Sequence, residues 1–137
     1  MKKKIIISAF LVFTICFIFA LLFYDKLYPT QIDATDLARE YVLNKDAADL
    51  KYLNKNIIVH GKVKVYYKLL GSRNVLELNS DSTLVPVFCF FLNERDEYIA
   101  SGLQENQEIT IKGKCTGEDS YSFVKGLKIE VSKISNY

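Results

Sequence analysis

Apolar and polar residues change rhythm several times along this chain, and each change marks an element. From Val59 the alternation is strict: Val59, Gly61, Val63 and Val65 fall on one side, and His60, Lys62 and Lys64 on the other. That period of two describes a strand with one dry and one wet face. Gly61 stands where another valine is expected, the signature of a bend or of close backbone approach. Ile109-Thr110-Ile111-Lys112-Gly113-Lys114-Cys115 repeats the pattern, again with a glycine on the apolar side. Two long strands with matching glycines suggest a small, strongly curled sheet.

The remaining elements follow in order. Asp33 is placed as a helix N-cap, with Asp36 in the first turn and Ala34, Leu37, Ala38 and Tyr41 forming one apolar stripe. Asn44 ends or kinks that helix. A second short helix carries Ala47, Ala48 and Tyr52, and Asn54 suits the left-handed turn at its end. After the first strand, a turn at residues 71–74 predicts a hairpin whose returning strand is Val75-Leu76-Glu77-Leu78. The run from Leu84 to Phe91 is apolar on both sides, so it predicts a strand covered on both faces, with Pro86 near its start. Asn93 and Gly102 bracket a short helix. Residues 108–115 form the fourth strand, residues 116–120 a loop, and residues 121–134 the last strand.

Five strands, with a helix between the third and fourth and short helices ahead of the first, describe a mainly β OB-fold barrel. A five-stranded open sheet is the competing topology, and the paired glycines favour the barrel.

The amino-terminal run changes the setting. Residues 5–23 are apolar except for Ser8 and Thr14, and Lys2, Lys3 and Lys4 precede them. At a helical rise of about 1.5 Å per residue, such a run just crosses a hydrocarbon core of roughly 30 Å. No small-x-small cleavage site follows it, which favours an uncleaved signal-anchor over a removed signal peptide. The expected organisation is a transmembrane signal-anchor over residues 1–24, a linker over 25–32 and one domain over 33–137. By the positive-inside rule the lysines are cytoplasmic, and the domain lies on the outer side of a single-pass bacterial plasma-membrane protein.

Charge then weighs against one class of partner. Three of the 18 basic residues precede the apolar run, which leaves 15 against 16 acidic residues for the rest of the chain. A nucleic-acid binder normally shows a basic surplus, so a nucleic-acid partner is disfavoured by composition. Cys16 lies in the apolar run. Outside the membrane, Cys89 and Cys115 are permitted a disulfide; the alternative is two buried thiols.

The motifs Asn44-x-x-Ala47-Ala48-Asp49-x-x-Tyr52 and Ile58-x-x-Gly61-x-Val63 together resemble the tRNA_anti-like family of bacterial OB-fold proteins. So do Val87-x-Cys89-x-Phe91 and Gln107-x-Ile109-x-Ile111-x-Gly113-x-Cys115. The resemblance spans residues 33–134 and implies an OB fold behind an N-terminal signal or anchor. Where such sequences carry glycine ahead of the first and fourth strands, this one has Asn54 and Asn106, which tolerate the same positive-φ geometry.

Catalytic chemistry finds little support in the sequence. His60 is the only histidine, with no Cys-x-x-Cys or His-x-x-x-His spacing and no glycine-rich phosphate loop. No enzyme, metal or cofactor is expected. OB-folds bind through the face of their second and third strands and the neighbouring loops. Those positions are Tyr66, Tyr67, Lys68, Arg73, Phe88, Phe90 and Tyr121. For Phe88 and Phe90 the alternative is packing under the amino-terminal helices. The expected function is a non-catalytic, membrane-anchored module binding a protein, peptide or glycan. The alternatives are a single-stranded nucleic-acid-binding domain and a structural subunit of a membrane complex.

Overall fold

The computed structural model describes residues 12–20, 28–68, 74–81, 85–121 and 124–136. Strand β1 (Thr30–Asp33) leads into helices α1 (Ala34–Leu43) and α2 (Lys45–Tyr52). Strands β2 (Asn56–Lys68), β3 (Asn74–Leu78) and β4 (Val87–Phe91) follow, then helix α3 (Glu94–Ser101) and strands β5 (Glu108–Tyr121) and β6 (Val124–Asn136). The six strands form one sheet in the order β1-β2-β3-β4-β6-β5, and β2 also pairs with β5. The hydrogen-bonded circuit β2-β3-β4-β6-β5 therefore returns to β2.

The helices start and stop where capping side chains require. Asp33 accepts the Thr35 N–H at 2.8 Å and opens α1. Asn44 closes α1 and opens α2, its side chain accepting the Ala47 N–H at 3.0 Å. Asn93 accepts the Asp96 N–H at 2.8 Å to open α3. The stripe Ala34, Leu37, Ala38 and Tyr41 is buried, and Tyr41 and Tyr52 stack with ring centroids 6.5 Å apart. Asn54 and Asn106 hold φ near +64° and +65°, the left-handed geometry anticipated for both.

Strand β4 is buried on both faces, and Pro86 immediately precedes it. Val87, Cys89 and Phe91 point into the main core with Val59, Leu76, Ile111 and Ile129. Phe88 and Phe90 point the other way, into a second cluster with Val75, against which Tyr67 packs. They do not lie under the amino-terminal helices, whose buried residues belong to the main core.

Several sequence expectations are corrected. The alternation from Val59 does not extend to Val65. Lys64 is an extra residue between Val63 (opposite Leu78) and Val65 (opposite Glu77). This bulge reverses the phase, so Val65 is exposed and Tyr66 turns toward the core opposite Leu76. Thr30–Asp33, with its first three residues read as the end of a linker and Asp33 as a helix cap, pairs parallel with Ile57–His60, so the strands number six rather than five. Residues 116–120 are strand rather than loop: β5 continues to Tyr121 across a bulge at Gly117, whose φ is +82°. The last strand begins at Val124.

Cys89 and Cys115 are free and buried rather than bridged. Both register against Ile129, on opposite sides of β6, which separates them by two strand spacings. At about 4.8 Å per spacing their Cα atoms are some 9–10 Å apart, beyond the roughly 7 Å a disulfide spans.

Of the apolar run 5–23, residues 12–20 are described. They are helical, with Phe13, Phe17 and Phe19 exposed. The rest of the run lies outside the described residues, and among the described residues no helix is long and apolar enough to cross a membrane.

Candidate ligand-binding face and cleft

Strand alternation divides the residues expected to form a binding face, and the bulge at Lys64 sets which of them faces inward. Tyr66 faces inward and lies beside Asn74, Glu97 and Tyr98 at the α3 end of the sheet. Burial, then the Glu97 carboxylate, raises its phenol above the ordinary tyrosine value. Tyr67 faces outward, opposite Val75, which in turn lies opposite Phe90. Tyr67, Phe88 and Phe90 are thus brought onto one surface, and Lys68 is exposed at the end of the same strand. Arg73 and the side chain of Tyr121 lie outside the described residues.

Two of the three aromatics on that surface are closed to a partner. Phe88 and Phe90 are only 3% and 7% exposed. Gly126 lies so close to the Phe88 ring that a Cβ there would overlap its Cε2 edge. The Lys128 ammonium covers Phe90, 5.4 Å from its ring centroid. Tyr67 is half-buried, with its phenol raised by burial and then by Glu77.

Apart from Lys68, the cations around the cluster are matched to carboxylates. Lys64 pairs with Glu77 at 2.7 Å, Lys128 with Glu130 at 3.1 Å and Lys125 with Glu118 at 2.8 Å. Pairing at these distances leaves little positive potential to attract a phosphate backbone.

A more open cleft of about 620 Å³ lies elsewhere, where β1, the first half of β2, the segment after β3 and the start of β5 meet. Asp33, His60, Lys62, Ser80, Asp81 and Glu108 line it. His60 is oriented from both sides: Nδ1 lies 2.9 Å from Thr110 Oγ1, and Nε2 lies 3.4 Å from Gln31 Oε1. Lys62 and Glu108 face each other at 3.7 Å. The cleft therefore offers cationic, anionic and neutral hydrogen-bonding groups in one concave surface, the arrangement small-ligand sites use to fix orientation.

Ser80, on the other side of the cleft, donates to the Val85 carbonyl at 3.3 Å. Among the described residues no group of three His, Cys, Asp or Glu side chains is placed to hold a metal ion. Of the cleft residues, only His60 stood out in the sequence as a candidate group, and it read as part of a solvated strand. The others come from four separated segments, so no local spacing announces them. Asp33 was legible only as a cap, which it also is.

Comparison with known proteins agrees with this architecture. A putative aspartyl-tRNA synthetase from Leishmania major Friedlin superposes with a TM-score of 0.51 at 15% identity, over 80% of this chain and 21% of that one. Asparaginyl-tRNA synthetase from Pyrococcus horikoshii, complexed with asparaginyl-adenylate, gives 0.49 at 15% identity, over 63% and 20%. An OBody bound to hen egg-white lysozyme gives 0.49 at 16% identity, over 63% and 84%. This chain thus spans about a fifth of either synthetase, and the likeness to the aspartyl-tRNA synthetase is one of fold. No curated protein matches the sequence. The tRNA_anti-like family pattern matches residues 1–125, well over half the chain. The chain belongs to the tRNA_anti-like family of OB-fold proteins.

Proposed function

We propose that this chain is a non-catalytic OB-type binding module. In this reading, residues 5–23 tether it to the bacterial plasma membrane and the domain works on the outer side. The circuit β2-β3-β4-β6-β5 is its barrel, β1 is an added strand beside it, and a peptide or glycan occupies the cleft around His60.

One observation carries the ligand assignment. Donors and acceptors of both charges converge in an open cleft, while Phe88 and Phe90 on the expected stacking face are buried. Hydroxyl- and amide-rich ligands suit a cleft of that kind, whereas a stacking ligand needs open aromatic faces. Support for the tether comes from the family match, which begins at residue 1 and takes in the apolar run. The exposed phenylalanines of residues 12–20 and the three lysines ahead of the run agree with it.

The second reading is a single-stranded nucleic-acid module, favoured by the likeness in fold to an aminoacyl-tRNA synthetase and by Tyr67 and Lys68 on the outward face. A structural subunit of a membrane complex is the third. Photo-crosslinking from the full chain separates them. A photoreactive side chain at Ser80 is expected to capture a peptide or glycan from the native membrane, and one at Tyr67 is not. Salt-sensitive capture of an oligonucleotide at Tyr67, with nothing at Ser80, favours the second reading. Capture of membrane proteins that is lost without residues 1–32 favours the third.

A further inference from the structure

Three of the cations that are not matched to carboxylates lie together on one stretch of the outer surface. Lys112 and Lys114 are exposed on β5, two residues apart and separated by Gly113. Lys133 is exposed on β6, directly opposite Lys112. Ser132 is the extra residue of the bulge between the Lys112 and Gly113 pairings, and it too is exposed, its hydroxyl donating to the Lys112 carbonyl at 3.0 Å. Among the described residues no carboxylate forms an ion pair with Lys112, Lys114 or Lys133. Glu130, the acidic neighbour opposite Lys114, is paired with Lys128. Like charges directly opposite on an antiparallel pair destabilise a sheet. Lys112 and Lys133 are such a pair, so their placement calls for an anionic partner.

The position of this patch in the topology indicates which partner. The chain enters the sheet through β1, where Gln31 lies opposite Ile58 of β2, and Ile58 lies opposite Lys112 of β5. Two strand spacings, about 10 Å, separate the entry strand from Lys112. The seven residues from Phe23 to Thr30 reach at most about 25 Å when fully extended. An apolar run seated in the bilayer therefore holds β1, and with it the lysine patch, near the lipid headgroups. The helices are net acidic, chiefly through Glu94, Asp96 and Glu97 on α3, since Asp36 and Glu40 on α1 pair with Arg39 and Lys51 and the charges of α2 cancel. The basic stretch thus lies beside the entry strand.

Resting on the tethered reading above, we propose that the outward face formed by Lys112, Lys114, Ser132 and Lys133 docks onto anionic phospholipid headgroups. Docking there orients the barrel on the membrane and sets which way the His60 cleft opens. Each lysine near an anionic surface shifts the docked-to-free ratio by about five-fold, and only within a Debye length of roughly 8 Å. The tether alone, with its longer reach, leaves that orientation unset.

The test reconstitutes the full chain in vesicles of phosphatidylcholine, with or without about one-third phosphatidylglycerol. A fluorophore on Ser132→Cys reports energy transfer to a headgroup acceptor, and one on Tyr98→Cys serves as control. Transfer from position 132 is expected to rise with phosphatidylglycerol, to fall in high salt, and to fall in the variant combining Lys112→Glu, Lys114→Glu and Lys133→Glu. The matching arginine variant keeps it, and the control position changes little. Equal transfer on both vesicles, or indifference to the glutamate variant, overturns the docking face while co-flotation still supports the tether. Failure to co-float with either vesicle overturns the tether, and the docking face with it. Displacement from phosphatidylglycerol by oligothymidylate, with the same lysine dependence, makes the face a nucleic-acid surface and overturns lipid docking.

Discussion

Cys89 on β4 and Cys115 on β5 both face Ile129, one from each side of β6. The intervening strand keeps two buried thiols apart in a domain read as extracytoplasmic, where oxidation is permitted. The full chain is therefore expected to contain free Cys89 and Cys115 without added reductant. Thiol titration in denaturant checks this, and an ectodomain mass that rises by two protons on reduction overturns it.

Burial also makes this core sensitive to alkali. The Cys89 and Cys115 thiols are raised above the usual value of 9.0 by desolvation. The Tyr41 phenol, 3.6 Å from Cys115 Sγ, is raised above 10.0 by burial and then by Cys115. In each case the neutral form is the folded one. The stability these groups contribute is complete below their unfolded-state values and is lost as pH rises past 9 to 10. The urea midpoint should hold steady from about pH 6 to 8 and fall above about pH 9. A midpoint unchanged to about pH 10.5 contradicts the assignment.

The two strand glycines do different work, and alanine separates them. A Cβ at Gly113 would lie 2.5 Å from the Glu130 carbonyl oxygen and 2.8 Å from Ile129 Cγ2. Backbone cannot yield, so Gly113→Ala should cost about 3 kcal/mol. A Cβ at Gly61 would meet the Ala34 methyl at 3.0 Å, a contact that small shifts of α1 relieve, and Gly61→Ala should cost about 1 kcal/mol. Denaturant melts of the two variants check the order; equal losses contradict it.

Asn54 and Asn106 occupy left-handed backbone, and the Asn54 N–H also donates to the Cys115 carbonyl at 2.7 Å. Replacement by glycine should leave stability unchanged or slightly raised. Replacement by alanine should lower it by about 1 kcal/mol at either position. If alanine is tolerated as well as glycine, the positive φ is not what these positions require.

The orientation proposed for the domain is checked on intact cells. Leu50 on α2 is 83% exposed, so Leu50→Cys should react with a membrane-impermeant maleimide while buried Cys89 and Cys115 react slowly. Labelling only after lysis places the domain inside and removes the outer-side assignment.

What the sequence made legible was local. Caps at Asp33, Asn44 and Asn93 announce themselves because each side chain bonds a backbone group two or three residues away. The double-sided burial of β4 shows as an unbroken apolar run, and Asn54 and Asn106 show as turn residues. The family resemblance rests on the same local signals.

Features that depend on distant partners were not legible. The bulge at Lys64 leaves no mark of its own, because extending the alternation to Val65 is equally consistent with the sequence; only pairing with β3 reverses the phase and turns Tyr66 inward and Tyr67 outward. Strand β1 is short and mostly polar, and it becomes a strand only because β2 offers it an edge. The His60 cleft draws on four segments, and the lysine patch places Lys112 against Lys133 across a hairpin. Sequence by itself determined the helices, most of the strands, the family and the apolar run ahead of the domain, because those depend on near neighbours and composition. Which residues share a surface was decided only by tertiary structure, because a one-residue bulge exchanges the two faces of a strand.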